Sequence, residues 1–309
     1  MTRPPLSVVV PTRDRPGMLD RALASLASAL AGDDELIVVD SASTDAAAIE
    51  HVAHQHDANV VRSDRPGASV ARNLGWQAAR HDFVAFCDDD VWVDAGWADA
   101  LVAALELDRC IGFVAGRLEV PPDQETLGLA VSILDRPDPA AYDDRTTGLL
   151  GHAASMAVRR SAMTAIGGFD EMLGAGARFG GSEEADLFDR LFAAGWTGRY
   201  EPAAFGWHDQ WRSRQRTIIR LDYTYGRGRG ARLAKLLKSG RLRRFALVTR
   251  EYLWAWGLTQ LWLHARKRDR FLSTVTVARL GGIAVGFVAG LVTPVRDSHY
   301  GRRSGRNAS

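Results

Sequence analysis

The sequence predicts an α/β protein: a mostly parallel sheet with helices on both faces, followed by a basic helical tail. Three observations carry this. Over the first 120 residues, short apolar runs rich in Val, Ile and Phe alternate with helical patterns. Polar clusters stand directly after several of those runs. After Trp211 the composition turns abruptly basic and aromatic.

In chain order, Leu6–Pro11, Glu35–Asp40, Asn59–Ser63 and Asp82–Asp88 read as buried strands, since each is a short apolar run bounded by turn residues. Pro16 suits the first position of a helix in which Leu19, Leu23, Leu26 and Leu30 form one stripe. A second helix starts at a capping Ser or Thr before Asp45, and a third covers the segment from Gly67 to Arg80. Strands alternating with helices imply a parallel sheet covered on both faces, with ligands beyond the carboxyl ends of the strands. Val120–Leu150 is rich in Pro and Asp with weak periodicity and reads as a long irregular excursion near the site. Order resumes with a strand, a short helix and the Gly167-Gly168 turn, and then a helix opened by Glu183, Glu184 and Asp186. Carboxylates there also serve simply to stabilise the helix N-terminus.

The 309 residues carry a net charge of +2, which hides a strong asymmetry. Residues 1–211 hold 17 Arg and Lys against 33 Asp and Glu, a balance of −16; residues 212–309 hold 22 against 4, a balance of +18. These are the two regions expected as an acidic α/β domain, residues 1–211, and a basic helical tail, residues 212–309. Cys87 and Cys110 are the only cysteines, too few for a disulfide scaffold or a zinc cluster, which favours a reducing, cytoplasmic setting. The apolar run before Pro11 is too short for a signal peptide.

The chemistry concentrates at the predicted strand ends. Strand one ends at Pro11-Thr12-Arg13-Asp14, strand two at Asp40, and strand four at Asp88, Asp89 and Asp90. Asp40 is explained equally well as a cap or turn former, and Asp14 is better explained that way. Three consecutive carboxylates are not, because a cap needs only one. Carboxylates this close repel, and some would protonate unless a cation sits among them.

The ordered set VVVPTRDRP, IVVDSASTD, RPGASVARNLGWQAARHDFVAFCDDD, GGFDE and GSEEADLFDRL resembles the family 2 inverting glycosyltransferases of the GT-A fold, over roughly residues 5–230. The resemblance implies a Rossmann-like sheet whose first half binds a nucleoside-diphosphate sugar and whose second half shapes the acceptor site. It implies that the Asp run is the family's DxD motif, holding Mg²⁺ or Mn²⁺ against the donor diphosphate, which suits hard oxygen ligands. Asp90 and Asp88 are then metal residues, with His208 completing the metal or diphosphate site. Asp88 and Asp89 also face the nucleotide, Pro11, Thr12, Asp14 and Asp40 line the nucleobase side, and Arg72 reaches the base or the diphosphate. Glu184 falls where the family's general base stands, with Glu183 as a rival. This chain departs from the pattern in having Glu for Asp at the base, Ser155 where relatives often carry Asn, and Ser41 for a second Asp.

The tail carries thirteen Arg and Lys against one acid, Asp222, between Arg212 and Arg250. Aromatics interleave, including Trp254, Trp256 and Trp262 further on. A helix lying on anionic lipid shows this pattern. The apolar core from Leu280 to Val295 is 16 residues long, short of the roughly 20 needed to span. A membrane span and a soluble helical cap are the competing readings. Nucleic acid is not an expected partner, since nothing resembles a recognition fold and the acidic body repels phosphate.

The resulting expectation is a glycosyltransferase acting on a glycan or lipid-linked acceptor in cell-envelope synthesis. It would be cytoplasmic, peripheral or monotopic at the inner face of the cell membrane. Two alternatives belong to other classes. A sugar-phosphate nucleotidyltransferase would need a Gly-rich loop after strand one, where only Gly17 occurs. A non-catalytic nucleotide-binding module docked at the membrane would have no use for both the Asp run and Glu184.

Overall fold

Residues 3–122, 129–130, 133–209, 211–212 and 214–301 are described in the computed structural model. The chain divides into two compact units. One comprises Met1–Phe169 with Leu187–Arg212, the other Asp170–Asp186 with Ser213–Ser309. The short segment Asp170–Asp186 thus groups with the tail.

The first unit grows from strand β1 (Leu6–Thr12), every residue of which is buried. After α1 (Pro16–Ala29) come β2 (Glu35–Ser41), α2 (Ala46–Gln55), β3 (Asn59–Ser63), α3 (Ala68–Ala78) and β4 (Phe83–Cys87). Strands β3, β2, β1 and β4 lie side by side and parallel. Pro16 opens α1 as its residue type dictates. The cap of α2 is Asp45, whose carboxylate accepts from the Ala48 amide, in place of the Ser or Thr expected. Strand β3 is only partly buried because it is the sheet edge, not a central strand.

Strand alternation divides the apolar residues between two layers. Leu6, Val8 and Val10 join Leu36, Val38 and Ala85 in a core with Leu19, Leu23 and Leu26 of α1. Val9, Ile37, Val39, Val84 and Phe86 face the other way, into a core with Ala71 and Trp76 of α3. Both faces of the sheet are therefore covered, which is why these strands read as unbroken apolar runs.

The rest of the sheet is mixed. From the end of β4 the chain turns into β5 (Val91–Val93), then α4 (Trp97–Glu106), β6 (Ile111–Glu119), β7 (Leu129–Ala130) and β8 (Ala140–Tyr142). Next follow β9 (Ser155–Arg159), α5 (Arg160–Ile166), α6 (Glu183–Ala193), β10 (Thr197–His208) and β11 (Trp211–Arg212). The main sheet has the order β3-β2-β1-β4-β9-β6-β10-β5, with β8 paired to β10 as a ninth strand among the described residues. Strand β9 runs antiparallel to both β4 and β6. Before it, β8 pairs antiparallel with the amino-terminal end of β10, with Tyr142 opposite Gly198, and β9 then starts from the carboxyl edge with Ser155 opposite Cys87. Residues 123–128, 131 and 132 of the excursion lie outside the described residues.

The second unit holds α7 (Gln215–Lys238), α8 (Leu242–Arg250), a π-helical stretch (Glu251–Leu258), α9 (Thr259–Arg266) and α10 (Arg270–Val292), ending in a small hairpin of β12 (Val295–Arg296) and β13 (His299–Tyr300). Leu233, Leu236, Val248, Tyr252 and Ile283 form one of its cores, and Leu173, Phe179, Ala231 and Tyr300 another.

Gly75 of α3 is where the helix meets the sheet most closely: a Cβ there would lie 2.2 Å from Val9 Cγ1 and 3.1 Å from Val39 Cγ2. Val9 is a stiff, buried β-branched residue. Gly75→Val should therefore cost about 2–3 kcal/mol through overpacking. Gly17→Val, in the same secondary structure with open space around it, should cost far less. Thermal unfolding midpoints of the two variants check this; equal midpoints would mean that α3 does not sit against β1 as described.

Candidate active site

The Asp run forms the turn between β4 and β5, and backbone hydrogen bonds fix it. The Asp88 amide donates to the Ala154 carbonyl (3.3 Å), Val91 to Asp88 (3.1 Å), and Asp209 to Asp90 (2.8 Å). The antiparallel pairing of β5 with the end of β10 sets His208 opposite Val91, one residue from Asp90. Three distant parts of the chain thus meet at the carboxyl edge of the sheet.

Asp88 has a partner of its own, whereas Asp89 and Asp90 share one. Asp88 accepts from Arg72 Nη2 at 2.6 Å; Arg72 projects from α3, is buried, and lies 5.8 Å from the Phe169 ring. Asp89 accepts from the Thr12 hydroxyl at 2.7 Å and from Arg15 at 3.2 Å. Asp90 accepts from the same Arg15 nitrogen at 3.0 Å, and its other oxygen lies 3.3 Å from His208 Nε2. Asp89, Asp90 and His208 are all buried. Burial first, and then the charge of Asp90, push the Asp89 carboxyl up to about 6, against the pull of Arg15 and Thr12. Burial, reinforced by these three carboxylates, also drives the Cys87 thiol well above its ordinary value, so Cys87 is an inert core residue.

Arg15 is the functional candidate that the sequence reading did not single out. It is the N-cap residue of α1 and precedes Pro16, a position that proline keeps out of the helical region. Its side chain is therefore carried at the strand-to-helix junction rather than along the helix. The available signal was the charge problem itself: three carboxylates require a nearby cation, and Arg13 and Arg15 both follow strand one.

The neighbouring loops order the other predicted residues. Pro11 is buried within β1, and Thr12 pairs in register with Asp40 across β1 and β2. Asp40 accepts from the Ser43 amide at 2.9 Å and forms an ion pair with Arg62. Asp14 adopts a positive φ of 54° and accepts from the Thr44 amide at 2.7 Å, while its own amide donates to Ser43 Oγ at 2.9 Å. The Thr44 amide holds the exposed Asp14 carboxyl below its ordinary range. Ser155 is fully buried and accepts from Trp97 Nε1 at 2.9 Å. It therefore has a structural partner at a position where the resemblance implies an acceptor contact.

Glu183 and Glu184 belong to the second unit, in the first turn of α6, and both are half-buried. Their segment is anchored within that unit by Lys235 of α7. The buried ammonium forms an ion pair with Asp170 and another, at 2.7 Å, with Asp186. Asp170 also accepts from the Tyr300 amide at 2.8 Å and the Met172 amide at 3.0 Å. One lysine thus clamps both ends of the segment that carries the two glutamates.

Among the described residues no cluster of three or more His, Cys, Asp or Glu is arranged to hold a metal ion. A preformed cage is not what nucleotide chemistry requires, because Mg²⁺ at such sites takes one or two carboxylates and completes its shell from phosphate and water. The buried Asp90 carboxylate, a hard oxygen donor with His208 Nε2 beside it, fits that demand.

The family model described as glycosyl transferase family 2 matches residues 7–166, and the chain belongs to that family. It is 32% identical over 237 residues to the pre-mycofactocin glycosyltransferase of Mycobacterium tuberculosis, covering 74% of this chain and 47% of the relative. The chain therefore spans about half the length of that relative. Among solved structures, the mannosyltransferase PcManGT from Pyrobaculum calidifontis, in complex with GDP-Man and Mn²⁺, is similar with a TM-score of 0.61 at 19% identity, over 93% of this chain and 88% of the other. Residues 1–349 of TarS from S. aureus give a TM-score of 0.51 at 15% identity, over 89% of this chain and 90% of the other. At these identities the likeness is one of fold, and the fold is GT-A-like.

Removing the ammonium at position 235 leaves two buried carboxylates facing each other. Lys235→Met should destabilise the second unit by about 3–5 kcal/mol. Adding Asp170→Asn and Asp186→Asn to the same variant should restore much of that. Denaturation followed by far-ultraviolet circular dichroism reads this, because helices α7, α8, α9 and α10 all belong to that unit. A wild-type midpoint for the single variant would contradict the clamp.

Proposed function

We propose that the chain is a metal-dependent inverting glycosyltransferase that moves a sugar from a nucleoside-diphosphate sugar to an acceptor hydroxyl, with a cell-envelope or lipid-linked glycan as acceptor. The observation that carries this is the turn Asp88–Asp90 at the carboxyl end of β4, with buried Asp90 beside His208. Family membership supports the class of reaction.

Each side chain then has a task. Thr12, Asp14 and Asp40, on the loops after β1 and β2, take the nucleobase and ribose side of the donor. Arg72 and Arg15 offer guanidinium groups whose geometry suits a diphosphate. Asp90, Asp88 and His208 are the residues that would hold Mg²⁺ or Mn²⁺, which when bound offsets charge on the departing diphosphate. Glu184 accepts the proton of the acceptor hydroxyl. The acceptor oxygen forms its bond to the anomeric carbon while the bond from that carbon to the diphosphate oxygen breaks. The electron pair leaves with the nucleoside diphosphate, and a single in-line displacement inverts the anomeric centre.

Transfer from a panel of nucleoside-diphosphate sugars, GDP-mannose included, tests the reading. Activity should require Mn²⁺ or Mg²⁺ and disappear with a chelator. Asp90→Ala should abolish turnover. Glu184→Gln should lower kcat by about 10²–10⁴-fold, the contribution of a general base, with nucleotide binding unchanged. Normal turnover by Glu184→Gln would move the base to Glu183 or elsewhere. Release of pyrophosphate from a nucleoside triphosphate would mean a nucleotidyltransferase instead.

A further inference from the structure

Helix α10 has two apolar sides, and its contacts explain only one of them. Its inward side lies on α7 with the backbones in contact. A Cβ on Gly282 would meet the Tyr223 carbonyl at 2.2 Å, and one on Gly286 the Arg227 carbonyl at 2.0 Å. Its outward side runs through Val277, Ala284, Val285, Val288, Leu291 and Val292, a helical stripe without a single polar side chain, all exposed. Val288 is 62% exposed and Val292 75%. An ordinary surface helix would be polar there.

Two further features of the same unit flank this stripe. Trp254, Trp256 and Trp262, in the π-helical stretch and α9, are exposed at 63%, 45% and 57%. The π-helical stretch meets α10 where Gly257 comes close to Leu280, and α9 packs against α10 as well. At the turn into α10 stand Arg266, Lys267, Arg268 and Arg270, all exposed, with Arg266 stacked 5.2 Å over Trp262. Exposed valines, tryptophans and arginines together match the apolar, interfacial and headgroup layers of a bilayer. The basic corner selects lipids of negative charge.

We propose that the outward face of α10, with Trp254, Trp256 and Trp262, inserts into the headgroup region of an anionic bilayer without crossing it. α10 runs 23 residues, longer than the 16-residue apolar core read from the sequence because the helix also takes in Arg270–Arg279, and so it has the length and composition to cross. It is, however, joined along its inner side to α7, which carries Arg216, Arg220, Arg227, Arg229, Arg232 and Lys235. Arg279 within α10 is itself paired with Asp222 of α7 at 2.6 Å. Crossing would either part the two backbones or take those charges into hydrocarbon, where they are strongly disfavoured. Lying in the interface demands neither. The inference stands on the second unit alone and holds whether or not Glu184 is the base.

Flotation of the full chain with vesicles tests it. The chain should float with phosphatidylcholine vesicles containing phosphatidylglycerol and much less with phosphatidylcholine alone. Bromine-labelled acyl chains should quench its tryptophans, and alkaline carbonate should release it. Val285→Glu with Val288→Glu should lower partitioning by about tenfold or more. Arg268→Gln should lower binding to the anionic vesicles by roughly fivefold. Neither should alter donor hydrolysis. If the double glutamate variant fails to fold, Trp254→Ala with Trp262→Ala replaces it, with the same loss expected. Absence of binding, equal binding to neutral vesicles, or resistance to carbonate would overturn the proposal. So would a dimer that buries the tryptophans without lipid and is split by the glutamates, which would assign the face to a second copy of the chain.

Discussion

Asp88, Asp89 and Asp90 occupy consecutive positions where β4 ends, and two of the three are buried. Holding that much negative charge together is the constraint around which this edge of the sheet is built. Neighbouring elements supply the partners: α3 sends the Arg72 cation to Asp88, the junction of β1 and α1 sends the Arg15 cation to Asp89 and Asp90, and β10 places the His208 ring beside Asp90. Burial first, and then the charge of Asp90, keep the Asp89 carboxyl raised despite these partners. A site in that condition gains from additional positive charge, and a diphosphate arriving with a divalent ion would engage both the carboxylates and the two arginines.

The sheet makes this convergence possible by changing direction around the turn. Parallel strands β1 to β4 deliver their loops to one edge. The antiparallel strand β9 starts from that same edge, so Ala154 is present to accept from the Asp88 amide. The short strand β5 then leaves to pair with the far end of β10, which fixes the position of His208. The two-layered core beneath gives the loops a rigid base, and the close approach of Gly75 to Val9 is part of that rigidity.

Much of this was legible in the sequence, and the reasons are local. Strands β1, β2 and β4 showed because strands buried on both faces read as unbroken apolar runs, and α1 because Pro16 and its leucine stripe agree. The Asp run stood out because no cap needs three carboxylates. Arg15 was less visible, since its importance lies in partners 74 and 75 residues away. The same applies to Lys235, whose partners Asp170 and Asp186 lie in a segment that reads as turn and helix start. The antiparallel sense of β9 was hidden as well, because period-two patterning fixes which face a residue occupies but not the direction of the strand. The basic, aromatic character of the tail was plain from composition. That α10 is joined to α7 through glycines and stays apolar on its free side required the packed helices.

The central claim is that the Asp88–Asp90 turn couples a divalent ion to a diphosphate. Calorimetric titration of the full chain with nucleoside diphosphates, with and without Mn²⁺, tests it most directly, with Asp90→Asn as the comparison. The account predicts that Mn²⁺ tightens nucleotide binding to the native chain and that this coupling disappears in Asp90→Asn. Nucleotide affinity indifferent to Mn²⁺ in the native chain, or the same coupling in both proteins, would contradict it.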